Sequence, residues 1–303
     1  MIIDIPSTTT GAVNKKLIDV RKTGGVVTLG RVLTLVVCTR DGENTEHVID
    51  AANEASREHP CRVIVIARGP REASARLDAQ IRVGGDAGAS EVVVLRLYGE
   101  LAEHESSVVI PFLLPDTPVV AWWPEDAPPI PAQHPVGKLA IRRITDATDR
   151  ENPTAEIKGR LATYTAGDTD LAWSRVTYWR ALLTSALEQP PHLPIESAVV
   201  SGLAEEPAVD MIAGWLASRL DVPVVRHAGL LYVQLNFTGG ETLTISRPQT
   251  ETTGTLRRTG HPDALVALGR RETRDCLAEE LRRLDPDEIY EAALAGLTKV
   301  TYE

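Results

Sequence analysis

His104-Glu105 is the first pair in this chain whose spacing suggests chemistry. A helical His-Glu with a second His at the fifth position binds zinc and supplies a general base. Here the fifth position is Val108, so one imidazole stands where two must converge on the metal. Gly137-Lys138 resembles the end of a phosphate-binding loop, but Ala132 replaces its first glycine and Leu139 its Ser or Thr. Gly84, Gly85 and Gly88 lack dinucleotide-fold spacing, and no Gly-x-Ser-x-Gly nucleophile turn occurs. The seven histidines are scattered, with no Cys or carboxylate partners at metal-ligand spacing. These motifs give no catalytic set, and neither a metal nor a cofactor is expected.

The elements that would position a site are easier to read. Segment 31–124 contains RVLTLVVCTR, CRVIVIARG, EVVVLRLYG and TPVVAWWPED, separated by helix-length spacers. Continuous apolar runs of this kind predict strands buried on both faces, hence a layered α/β sheet. Ligands of such sheets sit at the strand C-terminal ends. Those ends carry Cys38, Arg40, Arg68, Trp122, Trp123 and Pro124. Helices are predicted over 11–22, closed by Gly24-Gly25, over the stretch from Asn44 or Thr45 to Glu58, and over 100–114, with Pro111 kinking the last or sitting in its final turn. A hairpin turn is predicted at GGDAGAS, which makes the sheet mixed, and a further strand over 139–145.

A chain of 303 residues exceeds the usual single core. The polar, turn-rich stretch 146–167 predicts a boundary between an N-terminal α/β domain, 1–150, and a C-terminal α/β domain, 165–303. The second opens with DLAWSRVTYWRALLTSAL, one predicted helix capped by Asp170, with an apolar stripe of Ala172, Val176, Trp179, Leu183 and Leu187. A β-α-β pattern follows, then a hairpin in which Phe237 is expected opposite Leu243 and Leu235 opposite Ile245, and an edge strand over 252–257. Two helices end the chain. The fold class expected is α/β, two domains, each a mixed and mostly buried sheet flanked by helices.

Several side chains remain without a motif. A two-sided sheet can bury both Trp122 and Trp123, yet tryptophan at a strand end can also anchor a partner. Trp173, Arg175 and Arg180 fall off the centre of their stripe and are interface candidates, whereas Trp179 belongs to the core. Arg142-Arg143 leading to Asp146 suggests a buried Arg–Asp pair tying the domains together, or a phosphate site. Cys38 and Cys61 sit in strands and should be inert; Cys276, on a surface-type helix, is the accessible thiol.

Composition narrows the class further. Hydrophobic residues make up 43% and charged residues 24%, as in globular proteins, and the net charge is −10. That charge argues against generic nucleic-acid or anionic-membrane binding. Three dispersed cysteines, no apolar stretch of membrane-spanning length and no signal-like start predict a reduced, cytoplasmic setting.

The segments NKKLIDVRKTGG, VTLGRVLTLVV, HPCRVIVI, LPDTPVVAWWP and DLAWSRVTYWRALL, in this order and spacing, resemble the actinobacterial glucose-6-phosphate dehydrogenase assembly protein family, OpcA. The resemblance runs over essentially the whole chain. It implies a non-catalytic factor with glucose-6-phosphate dehydrogenase as its partner, acting at the entry to the oxidative pentose phosphate pathway, with no catalytic residues to carry over. A sugar-phosphate enzyme, lactonase- or isomerase-like and working at the strand ends, is the alternative.

Overall fold

The structure is a computed structural model that describes residues 1–23, 32–83, 91–148 and 150–303. In chain order the elements are β1 (Ile2–Ile5), α1 (Thr10–Thr23), β2 (Leu33–Arg40), α2 (Thr45–Glu58), β3 (Cys61–Arg68), β4 (Arg76–Arg82), β5 (Glu91–Tyr98), α3 (Glu105–Val109), β6 (Val119–Trp123) and β7 (Arg142–Thr145). Then come α4 (Pro153–Thr163), β8 (Asp168–Asp170), α5 (Leu171–Arg175), α6 (Thr177–Leu187), β9 (Ile195–Gly202), α7 (Pro207–Arg219), β10 (Val224–Ala228), β11 (Tyr232–Phe237), β12 (Thr242–Ser246), β13 (Thr253–Arg258) and β14 (Ala264–Ala267). Helices α8 (Thr273–Arg282) and α9 (Glu288–Gly296) and strand β15 (Val300–Tyr302) complete the chain.

Two compact units form. The first is Met1–Asp146 with Thr165–Thr169 and Thr273–Pro286; the second is Ala147–Tyr164, Asp170–Glu272 and Asp287–Glu303. The first carries the sheet β1-β4-β5-β3-β2-β6-β7-β8 and the second β14-β13-β12-β11-β9-β10-β15. Fold class is therefore α/β with two mixed sheets. In the first sheet β5, β3, β2, β6 and β7 run parallel, and β4 and β1 add antiparallel. All five residues of β6 and nearly all of β2 and β3 are buried, because helices cover a parallel sheet on both faces. Strands β11 and β12 instead alternate buried and half-buried residues, as one-sided antiparallel strands do.

Sequence order does not respect the units. Helix α8 packs against α2 in the first unit, with Arg274 on Glu54 at 2.7 Å and Arg282 on Glu58 at 3.1 Å. Its inward face pairs Cys276 with Glu280 and Leu277 with Leu281, each four residues apart. Cys276 is thus fully buried, and its expected accessibility is corrected. Arg142 and Arg143, on opposite faces of β7, are held by Glu280 and Asp168 respectively, both in the same unit. They brace the first unit internally and do not tie two domains together.

Three further expectations change. The helix over 100–114 is broken into 3-10 turns at Gly99–Glu103 and Ile110–Phe112 around a short α3, Pro111 having no amide to continue it. The hairpin register slips by two: Leu235 faces Leu243 and Val233 faces Ile245. The buried face is unchanged, since a shift of two keeps every side chain on its side. Gly239 and Gly240 make a five-residue loop affordable by adopting φ of 81°, and β14 rather than β13 forms the edge. The expected turn at 84–90 and helix end at Gly24-Gly25 lie outside the described residues.

Helices α7 and α9 cross closely in the second unit. A Cβ on Gly214 would stand 2.3 Å from the Ala293 carbonyl oxygen, and one on Gly296 2.0 Å from that of Gly214. Glycine is required there for backbone approach.

Candidate functional site

In the first unit the chain leaves β2 through α2 to β3 on one side, and β6 lies on the other. The strand ends between β2 and β6 are thus the switch-point crevice, the usual ligand site of such sheets. Groups of the chain itself bridge it. Glu125, just past β6, accepts from the Thr39 hydroxyl at 2.6 Å and from the Arg40 amide at 3.2 Å. Arg40 pairs with Asp126, whose φ of 48° turns the loop back over the crevice.

Beside the crevice is a pocket of ≈ 250 Å³ lined by Arg68, Glu105 and His134. Arg68 Nε lies 3.3 Å from Glu105, and His134 Nε2 lies 3.6 Å from it. Burial raises the Glu105 pKa, with Arg68 opposing. Burial lowers that of His134, and the charge of Arg68 lowers it further. The Val136 amide donates to His134 Nδ1 at 3.3 Å, which leaves the ring proton on Nε2, facing Glu105. The adjacent Cys38 thiol is fully buried and pushed well up by that burial and by Glu105. A thiol held protonated is no nucleophile. The cluster can hold a proton but brings no activated nucleophile to it.

Sequence reasoning missed Glu105 and His134 as a pair. The signal for Glu105 was present: Ala102, Glu105, Val108 and Val109 share one buried helical face, and a carboxylate on such a face needs a partner. Nothing local marks His134, which sits in the Pro-rich loop and meets Trp123 edge to face at 5.5 Å.

The predicted partner residues divide. Trp122, Trp123 and Trp173 are 0–1% exposed, so none presents its indole to a partner in this structure. The first two belong to a strand covered on both faces. Trp173 turns inward because the expected single helix breaks at Val176 (φ −100°, ψ 8°), which resets the phase of α5 relative to α6. Its Nε1 donates to Asp287 at 3.0 Å, and the Arg180 guanidinium stacks over the ring at 3.5 Å. Arg175 and Arg180 remain half-buried and reach solvent. Arg175 lines a groove with Arg247, Arg270 and Arg271, three residues that sequence reasoning did not single out because they lie about seventy to a hundred positions away in loops and at a strand end. Among the described residues no group of three His, Cys, Asp or Glu is placed to hold a metal, and no helix is long and apolar enough to cross a membrane.

Comparison with known families decides the relationship. The family described as glucose-6-phosphate dehydrogenase subunit matches in both parts, its N-terminal domain over residues 52–162 and its C-terminal domain over 166–294. The chain belongs to the glucose-6-phosphate dehydrogenase assembly protein (OpcA) family. No curated protein matches it. Among solved structures, glucose-6-phosphate 1-dehydrogenase from Mycobacterium avium aligns with 90% of this chain and 91% of its own, at 10% identity and a TM-score of 0.47. An E. coli structure described as trehalose-6-phosphate bound with UDP-2-fluoro glucose aligns over 64% of each chain at 7% identity and a TM-score of 0.25. Neither likeness is close enough to carry a site across. Family membership rests on the two matched domains.

Proposed function

We propose that the chain is a non-catalytic, cytoplasmic assembly factor that binds glucose-6-phosphate dehydrogenase and raises its activity, supporting NADPH production by the oxidative pentose phosphate pathway. The observation that carries this reading is the match of both parts of the chain to the glucose-6-phosphate dehydrogenase assembly family. The bridging of the β2 and β6 ends by Glu125 and the protonated Cys38 thiol support it, since neither brings an activated nucleophile to the strand ends where an α/β enzyme would receive a substrate. Activation requires more than binding: the chain must hold the assembled, active dehydrogenase more tightly than its other state. Arg175 and Arg180 are the surviving candidates for that contact, with exposed Tyr178 between them.

The test uses the purified chain and its cognate dehydrogenase. The chain alone should turn over neither glucose 6-phosphate nor 6-phosphogluconolactone. Added to the dehydrogenase, it should raise the rate and preserve activity on dilution, because binding one state draws the equilibrium by mass action. Unchanged rate and unchanged oligomer size would overturn the reading, and lactone turnover by the chain alone would favour an enzyme instead.

A further inference from the structure

Four arginines, Arg175, Arg247, Arg270 and Arg271, line one groove of ≈ 330 Å³ in the second unit, the first of them also donating to the Thr148 hydroxyl at 3.0 Å, and Glu206 is the one acidic residue of the lining. Like charges brought together in a partly desolvated site repel. The effect is visible at Arg247, whose pKa is lowered first by burial and then by the charge of Arg270, with Glu206 opposing. Neither Arg247 nor Arg270 has a carboxylate within ion-pair distance among the described residues. Arg247 is nonetheless fixed in place: its Nη1 donates to the Leu268 carbonyl at 2.8 Å, while its buried Nε has no hydrogen-bond partner. That bond holds the segment after β14, which carries Arg270 and Arg271. Arg271 is anchored in turn through Nη1 to the Ser174 carbonyl at 2.7 Å.

The surroundings suit an anion with an organic body. The groove lies where β9 ends and the 13-residue α7 begins, and Ala208 and Val209 of its first turn form part of the wall. That is the C-terminal mouth of a parallel β-α-β unit, where the positive end of the helix dipole adds to the arginines. Its floor is apolar, formed by Val176, Trp179 and Ile212. The volume falls at the small end of ligand pockets, about 300–1,000 Å³, which matches a single small metabolite better than a length of peptide.

We propose that this groove binds a phosphate monoester of a small metabolite, its phosphate held among Arg247, Arg270 and Arg271 and its organic part lying over Val176 and Trp179. Guanidinium forks match phosphate oxygens two at a time, and a phosphate monoester has three terminal oxygens and a charge of about −2, so it can engage several guanidiniums at once where a carboxylate has two oxygens and one charge. The proposal stands apart from the assembly role, and it is tested on the isolated full chain.

The experiment is calorimetric titration with inorganic phosphate, ribose 5-phosphate and AMP, with ribose and adenosine as controls. At least one phosphate ester should bind more tightly than inorganic phosphate, raise the melting temperature and weaken with added salt. Arg270→Ala, at an exposed position, should weaken that binding about tenfold or more while leaving the melting temperature of the unliganded chain the same or slightly higher, as repulsion with Arg247 is relieved, and Arg270→Lys should retain part of the binding. The proposal falls if none of the three phosphates binds, if adenosine binds as well as AMP, or if Arg270→Ala and Arg247→Ala both keep full affinity. If no phosphate binds but Arg270→Ala weakens association with the dehydrogenase, the groove is a protein contact and the proposal is equally overturned.

Discussion

Removing Glu280 should unfasten the first unit. Arg142 is fully buried on β7, and its Nη2 meets Glu280 Oε2 at 2.5 Å from a helix 138 residues further along the chain. Arg142 Nη1 also donates to the Asp285 carbonyl at 3.2 Å, while its Nε has no partner. In Glu280→Leu the carboxylate goes and the guanidinium stays, a charge sealed from water with one backbone acceptor. Breaking a buried pair from one side costs about 3–5 kcal/mol. Arg142→Met in the same background removes the stranded charge, and hydrophobic replacement of a whole buried pair is often neutral, so the double variant should recover all but roughly 1–2 kcal/mol. Urea unfolding combined with hydrogen exchange at the β7 and α8 amides measures the cost in the unit concerned, since a chain of two units need not unfold in one step. If Glu280→Leu costs less than about 1 kcal/mol, or Arg142→Met adds its own loss without recovery, the pair is not what holds α8 to this sheet.

Two more outcomes follow from burial. None of Cys38, Cys61 and Cys276 should react with a thiol reagent in the native chain, and all three should react in urea; labelling of Cys276 before unfolding would contradict its placement against α2. His134, whose pKa is held below 6.5, is neutral in the fold while the unfolded chain takes up a proton, so it costs stability as pH falls from about 6.5 towards the folded value. His134→Gln should flatten that part of the stability–pH curve; an unchanged slope would show that the ring titrates normally.

The strands of the first sheet were legible because continuous Val, Ile and Leu runs admit little else, and β2, β3, β5 and β6 lie where those runs are. Short edges were not. Ile2–Ile5 and Val300–Tyr302 carry too few residues to show a period, and they are strands because β4 and β10 offer them unpaired backbone. Helix α4 was hidden in a polar stretch read as a boundary, although Asn152 caps it through the Ala155 amide and Pro153 stands at its first position. The interleaving of α8 was invisible for another reason. Local periodicity reports which face of a helix is apolar, never which sheet receives it.

The same limit explains why the tryptophans stayed between core and interface in the sequence, and why the arginines of the second unit's groove went unread there. Tryptophan serves cores and interfaces equally well, so Trp122, Trp123 and Trp173 could be assigned only by knowing what covers them. Trp123→Ala should therefore act through lost packing, as expected of Trp179, and carries no information about a partner. Arginine has a narrower range of environments. When buried it must find a carboxylate or carbonyl, as Arg142 and Arg143 do. Where arginines gather with a single acid, as Arg247 and Arg270 do beside Glu206, positive charge is concentrated in one groove, which is why a phosphate ester is proposed there. The sequence distance between Arg175 and Arg270 kept that gathering out of any motif, and only the meeting of α5, β12 and the segment after β14 in the second unit brings it about.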